Sequence, residues 1–426
     1  MRVLRFNEFL NESKKNQELE LLNEGGAYGH LQHPFDNKTL SFADLEEMIS
    51  ITINGAFNPS NFVQEKTDGQ NLMFTWKDGS LRAARNKGHI KNFGEKSLSK
   101  LEIEQMFAGR GEIQIAFTEA VEDLESAIKS LSPKQQEKIF ANGKKFMSVE
   151  VIYPKTQNVV PYGHSMLVFH GTNEYDETGE LIGQDKGEAK MLAGMIKQIN
   201  ADVQGTFFIR GPLDLKLEAL PDTSKKESYY KAALSKVMKS VNLSSTNTIS
   251  DYVTEWWTKY LDDNFKDYTP EAKAGLIKRL GHYDKSYAVK NMKADMTPEQ
   301  IQKVKDFESK EHKKISKDCI RPLEHLFLEL GADVLTNVND FLTAIPKEAT
   351  EKMRAEIQAT INDIKSSDSV ENIEKLEKEL HRIEASGGLD RLVPTEGITF
   401  VYKGQLYKYT GLFAPINQLS GILKFG

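Results

Sequence analysis

The spacing of apolar positions changes character several times along the chain. Residues 1–27 are mostly polar, end in Gly25-Gly26 and predict a loose arm. Over 41–53, Leu45, Met48 and Ile49 recur at helical spacing behind Ser41, a capping residue type. From 62 to 86 the period shortens to two. Phe62-Val63 leads in, and 71–76 and 81–84 read as strands around Lys77-Asp78-Gly79-Ser80, where Asp-Gly signals a hairpin. Helical spacing returns over 99–141, with Ser132-Pro133 marking a break and a new start. Strands follow at 146–153, stopped by Pro154, at 166–170 and at 206–210, with a helix over 186–200.

Residues 213–390 keep a helical period almost throughout, with breaks near 221–224, 242–247, 267–270, 294–298 and 366–369. Thr297-Pro298-Glu299-Gln300 is a helix start, and 369–385 is a charge-laced helix ending at Gly387-Gly388. Alternation returns at 398–401 and 406–409, around Lys403-Gly404. Strand-forming stretches therefore lie on both sides of a large helical block. The expected fold class is α+β. One domain of antiparallel sheets (28–212 with 391–426) is interrupted by an all-helical insertion (213–390).

Composition narrows the function classes. A chain of 426 residues exceeds one ordinary core. Apolar residues at 39% and charged residues at 28% place it among soluble globular proteins. No run of eighteen apolar residues predicts a membrane span, and the first residues lack the apolar core of a secretory leader, so a cytoplasmic location is expected. The single cysteine, Cys319, excludes an intrachain disulfide and a cysteine-built zinc site. With a formal charge of −6, any nucleic-acid binding must come from a local basic surface.

The chemistry-bearing segment is Glu65-Lys66-Thr67-Asp68-Gly69-Gln70-Asn71-Leu72. A lysine before Asp-Gly, between two strand patterns, is a candidate covalent nucleophile. Its amine attacks phosphorus only when neutral, which requires desolvation or nearby cations. Asp68 is a candidate metal ligand, and Gly69 lets backbone approach a nucleotide. Taken alone, Lys-x-Asp-Gly is a weak signal that fits an exposed lysine before a turn better.

The segment resembles motif I of the covalent nucleotidyltransferases: ATP-dependent RNA ligases, DNA ligases and messenger-RNA capping enzymes. Companion motifs follow in that superfamily's order. Arg85, in Ala84-Arg85-Asn86-Lys87-Gly88, resembles the motif Ia arginine, which implies contact with the phosphate or the accepting end. Glu150, in Ser148-Val149-Glu150-Val151, resembles motif III, implying contact with ribose or metal. Phe169, in Leu167-Val168-Phe169-His170, resembles motif IIIa, implying an aromatic stacked on adenine. Glu396, in Glu396-Gly397-Ile398-Thr399-Phe400, matches the metal-binding motif IV. Lys408, in Leu406-Tyr407-Lys408-Tyr409-Thr410, resembles the first lysine of motif V, which contacts the α-phosphate.

Within that superfamily the chain is most similar to phage-type, nick-sealing RNA ligases. Asn71 stands five residues after Lys66, where that branch carries asparagine and DNA ligases carry arginine. Glu65 fits the same branch, implying a reader of the adenine amino group. Sixteen residues follow Thr410, which leaves no room for the C-terminal OB domain of DNA ligases and capping enzymes. Two features depart from the pattern. Thr410 stands where motif V usually has a second lysine, and the stretch from Phe169 to Glu396 is far longer than in compact members. The implied fold is an ATP-grasp-like ligase domain with ATP between its sheets. The implied cofactor besides ATP is Mg2+ or Mn2+, held by Glu396 and Asp68. The implied reaction moves AMP from ATP to Lys66, then to a 5′-phosphate end, and closes when a 3′-hydroxyl displaces AMP.

Within the helical block, Lys278, Arg279, His282, Lys285, Lys290 and Lys293 are interleaved with Tyr283 and Tyr287, with Asp284 as the acid among them. Such a set can neutralise phosphates and stack on unpaired bases; a solvated helical face is the plainer alternative. Trp256-Trp257 is expected to pack the insertion's own core. His30 and His33 are expected to be loop residues rather than a metal pair. Phe6-Asn7-Glu8-Phe9-Leu10-Asn11-Glu12 and Leu21-Leu22-Asn23-Glu24-Gly25 resemble the cleaved leaders of proteins packaged in tailed-phage heads. The expected partner is thus an RNA end or nick in an infected bacterial cytoplasm, with no membrane partner. Transfer to a DNA end or another acceptor, or a non-catalytic nucleic-acid-binding virion protein, are the alternatives.

Overall fold

The computed structural model describes residues 31–57, 63–156, 160, 162–199, 205–211, 214–284, 286–338, 351–352, 354–355, 357–359, 362, 370–385, 387–393, 395–413, 415–416 and 419. The expected arm at 1–27 and His30 lie outside them.

Among the described residues are ten strands: β1 (Val63–Lys66), β2 (Gln70–Lys77), β3 (Ser80–Ala84), β4 (Lys145–Ile152), β5 (Met166–Tyr175), β6 (Leu181–Asp185), β7 (Phe208–Arg210), β8 (Asp214–Leu215), β9 (Gly397–Tyr402) and β10 (Gln405–Tyr409). They form two sheets. One has the order β10-β9-β1-β8; the other runs β3-β2-β4-β5-β6, with β7 beside β5. Every pairing is antiparallel except β5 with β7. The mixed helical and antiparallel-sheet class expected from the pattern is present, with β7 as a parallel addition.

Local chemistry sets the turns. Asp78 (φ 51°) and Gly79 (φ 76°) close β2 onto β3 with Lys77 opposite Ser80. Lys403 (φ 48°) and Gly404 (φ 78°) close β9 onto β10 in the same way. Two successive left-handed residues match the right-handed twist of paired strands, which is why glycine follows a polar residue at both.

The first helix, α1 (Phe42–Ile53), starts at a reciprocal cap in which Ser41 Oγ accepts from Asp44 N–H and Asp44 accepts from Ser41 N–H. Beyond β3 come the short kinked α2 (Lys87–Gly94), then α3 (Lys100–Met106), α4 (Glu112–Lys129), α5 (Pro133–Phe140) and, after β6, α6 (Lys186–Ile199). The residues of α3 to α6 cover one face of the six-stranded sheet and bury Phe74, Phe140, Met147, Val149, Leu167 and Phe169.

The helical block contains α7 (Thr223–Lys239), α8 (Ile249–Asn264), α9 (Pro270–Leu276), α10 (Val289–Asp295), α11 (Pro298–Lys310), α12 (His312–Leu335) and α13 (Val370–Ala385). Its apolar residues join α1 and the inner face of the four-stranded sheet in one core, where Phe327 and Phe400 flank Tyr409 and Trp257 is buried. Trp256 stacks on Tyr260 at 5.6 Å within the same block. No described helix is long and apolar enough to cross a membrane.

Candidate active site

Lys66 ends β1 in one sheet and Gln70 begins β2 in the other, so Thr67, Asp68 and Gly69 cross from sheet to sheet. In the β1–β9 ladder Lys66 stands opposite Gly397, the residue after Glu396. Lys66 Nζ donates to Glu396 Oε1. The two side chains are 18% and 13% exposed, a setting dry enough to strengthen charge interactions yet open to a ligand.

Glu150 approaches from the other sheet. Its Oε1 accepts from Gly69 N–H at 3.0 Å, and its Oε2 lies 3.2 Å from His170 Nε2. Glycine is required at 69 by space: a Cβ there would meet Glu150 Cγ at 2.5 Å and the Val151 carbonyl at 2.9 Å. Asp68 is held twice. Its N–H donates to the Tyr162 hydroxyl at 2.7 Å, and its Oδ2 accepts from Val160 N–H at 3.2 Å.

Electrostatics follow from this crowding. Burial pulls the Lys66 amine down, but Glu396, Glu150 and Asp68, with the hydrogen bond to Glu396, outweigh it and hold the amine above its usual range. Burial pushes the Glu396 carboxyl up to about 7, against the opposing pull of Lys66. Burial also works against ionised Glu150, but the His170 contact, Lys66 and Gly69 N–H together hold its carboxyl below the usual range. In this state Lys66 is a caged ammonium, not a free amine.

Arg85 follows β3 and reaches the same region from behind β2. Its guanidinium donates to the Asn71 carbonyl and lies 4.6 Å from the Phe117 ring centre. Burial and the like charge of Arg110 push it down to about 10, against Glu150. Asn71 pairs with Glu150 across β2 and β4. Lys408 is buried on β10, in the row with Thr399 and Gln64, the face from which Lys66 also projects. Its N–H donates to the Gln32 carbonyl at 3.0 Å.

One expected ligand contact is placed otherwise. Phe169 is fully buried in the apolar core under α3 to α6, its ring 5.7 Å from that of Phe74. A bulge between Ser148 and Val149 sets the register there, pairing Val168 with Glu150 and Phe169 with Val149. The residue that reaches Glu150 is the neighbouring His170. Burying the Phe169 ring stabilises the core by about 2–3 kcal/mol, which stacking on a base would forfeit. Glu65 pairs with Ile398 across β1 and β9, its Oε1 accepts from the Thr395 hydroxyl at 3.3 Å, and its charge reaches Tyr162 together with those of Asp68 and Glu396. Tyr162, His170 and Thr395 are the contributors that the sequence reading missed. None carries a local signal, because each is defined by a partner far away in the chain.

The basic cluster of the helical block divides. Arg279 is bound by both carboxylate oxygens of Glu308, at 2.6 and 3.1 Å, and donates to the Tyr287 carbonyl. Tyr287 packs its ring on Gly275 and donates its hydroxyl to Asp295 at 2.7 Å. Both are therefore internal supports, contrary to expectation. Lys278, Tyr283 and Lys290 are exposed, and Lys285 lies outside the described residues.

Among the described residues, no group of three or more His, Cys, Asp or Glu side chains converges to hold a metal ion. Magnesium needs only one or two protein carboxylates when phosphates and water complete its shell, and Glu396 with Asp68 supplies hard oxygen donors of that kind. The buried hydroxyls of Thr67 and Thr410 and the Asn71 amide oxygen have no partner among the described residues. Such atoms are costly unless a polar ligand meets them. No protein-family model matches the sequence, and no curated protein matches it.

Proposed function

We propose that the protein is an ATP-dependent polynucleotide ligase of the RNA-ligase type, with Lys66 as the nucleophile that carries AMP. The observation that carries this reading is the meeting of Lys66, Glu150 and Glu396 in the seam between two sheets. With Asp68, three carboxylates act on this one lysine, which suits a cation-assisted phosphoryl transfer better than a structural ion pair, which needs only one acid.

The chain's own groups account for the first step as follows. The proton on Lys66 Nζ must leave before attack. Glu396, in contact with Nζ and with its carboxyl raised toward neutrality, is placed to pass it on to solvent, which leaves the carboxylate ionised. The nitrogen lone pair then forms the bond to the α-phosphorus while the bond to pyrophosphate breaks. A divalent cation on Glu396 and Asp68 would supply positive charge to the reacting phosphates when bound. Lys408, on the same sheet face, adds a fixed cation for the α-phosphate, and Arg85 borders Glu150 on the other sheet. An RNA 5′-phosphate is the proposed acceptor, with a DNA end as the alternative.

The test is incubation with α-labelled ATP and magnesium, after pyrophosphate stripping of any bound AMP, followed by denaturing electrophoresis. Wild type should take up acid-labile label, and Lys66→Ala should take up none. Absence of label on wild type overturns the reading. Matched RNA and DNA nicks then assign the acceptor.

A further inference from the structure

The segment after α9 is unusual in its backbone. Residues Ile277–Gly281 form a π-helical turn, in which His282 N–H reaches back to the Ile277 carbonyl at 3.2 Å. Tyr283 then adopts φ 55°, a left-handed conformation that a bulky residue rarely takes. The strain amounts to roughly 1–3 kcal/mol, and its result is a tyrosine ring that is 59% exposed. An apolar ring displayed at an energetic cost is the reverse of what core packing produces.

One cation lies over that ring, and further basic residues follow or precede its neighbours in the chain. Lys38 Nζ lies 5.7 Å from the ring centre and donates to the Gly281 carbonyl at 2.9 Å. The His312 ring, at the start of α12, lies 5.2 Å from it, and exposed Lys313 and Lys314 follow in the same turn. Lys278 is exposed one turn before Tyr283. Acids share the area: ionised Asp284 accepts from Ser286 N–H at 2.8 Å and feels Lys278, and exposed Glu311 directly precedes His312. Like charges are crowded here: Lys38 helps burial depress the His282 imidazole.

The patch is tied to the sheet that carries Lys66. Gln32, whose carbonyl accepts from Lys408 N–H, is six residues before Lys38. Six residues span at most about 22 Å, so Lys38 cannot lie farther than that from the Gln32 backbone.

We propose that Tyr283, rimmed by Lys38, Lys278 and the first turn of α12, is a docking surface for single-stranded RNA. The ring stacks on an unpaired base while the ammonium groups meet the flanking phosphates. The choice of RNA rests on the ligase reading above, and this surface would hold the strand whose end enters the seam.

The test is fluorescence anisotropy with a labelled, 5′-phosphorylated single-stranded RNA over a salt series. Tyr283→Asn removes the ring with a residue that tolerates positive φ, so the fold should melt at the same temperature or higher. Its affinity should fall about tenfold, the loss of one stacked base. Lys278→Gln should reduce the slope of log affinity against log salt by about 0.7. Unchanged affinity in Tyr283→Asn overturns the proposal, as does absence of RNA binding by wild type. The labelling of wild type by ATP is read separately. Label without a Tyr283 effect leaves the ligase reading and removes the surface; a Tyr283 effect without label does the opposite.

Discussion

Glu396 reaches Lys66 because Gly397 stands opposite Lys66 in the β1–β9 ladder. Glu396 lies just outside β9, so the ion pair depends on where that strand begins: a slip by one residue along the ladder would carry Glu396 away from Lys66. Removing the carboxylate takes away the largest influence holding the Lys66 amine above its usual range. In Glu396→Gln the Lys66 amine should lose its proton at lower pH. Reductive methylation followed across pH and read by peptide mass should show Lys66 reacting at least several-fold faster at pH 8 than in wild type. Equal rates would show that Glu396 does not govern the amine.

The same carboxyl makes stability depend on pH. Its folded value is raised to about 7 from an ordinary 4.5, so across that window the folded chain binds more protons than the unfolded one. Its contribution is complete below pH 4.5 and is lost as pH rises through 7. The upper bound on the loss is about 3 kcal/mol. Urea unfolding at pH 4.5 and pH 8 should therefore give wild type a larger fall than Glu396→Gln. Parallel pH profiles would contradict the raised value.

Gly69→Ala should be destabilising although its backbone is not left-handed. The added methyl would meet Glu150 and the Val151 carbonyl, and backbone cannot yield as a flexible side chain does. The expected cost is about 1–3 kcal/mol, seen as a lower urea midpoint. Displacement of Glu150 should also reduce ATP-dependent labelling by tenfold or more. Normal stability with normal labelling would mean that the seam is looser than described.

Asp333 provides a test distant from the seam. It is buried in α12 and accepts from Lys226 Nζ at 2.7 Å and from the Tyr230 hydroxyl at 2.8 Å, and it pairs with Arg391 at 2.8 Å. Asp333→Ala leaves two cations facing each other. The cost should be about 2–3 kcal/mol, below that of a fully buried pair because Lys226 and Arg391 reach solvent. Arg391 lies five residues before Glu396, so labelling should fall along with the denaturation midpoint.

Much of this fold is legible in the sequence where the code is local. Asp78-Gly79 and Lys403-Gly404 announce their hairpins because two left-handed residues are needed at each. Ser41, Ser132 and Thr297 announce helix starts because an unpaired N–H must find an oxygen. What failed was non-local. The exposed β6 shows no burial alternation, and the two-residue β8 is too short to show one. The bulge at Ser148 and Val149 shifts parity, so the aromatic expected over the site went to the core and His170 took its place. Arg279 looks free in the sequence because Glu308, its partner, lies 29 residues away. The lysine and glutamates of the candidate site were legible as types in order, whereas Tyr162 and Thr395 were visible only in three dimensions.

The four-stranded sheet joins segments far apart in sequence, with β1 lying between β8 and β9. During synthesis, Lys66 leaves the ribosome more than three hundred residues before Glu396 and Lys408. A growing chain therefore holds Lys66 without Glu396 and without half of the sheet that frames it. On the ligase proposal, AMP transfer therefore requires the β9–β10 hairpin, the last strands of the described chain.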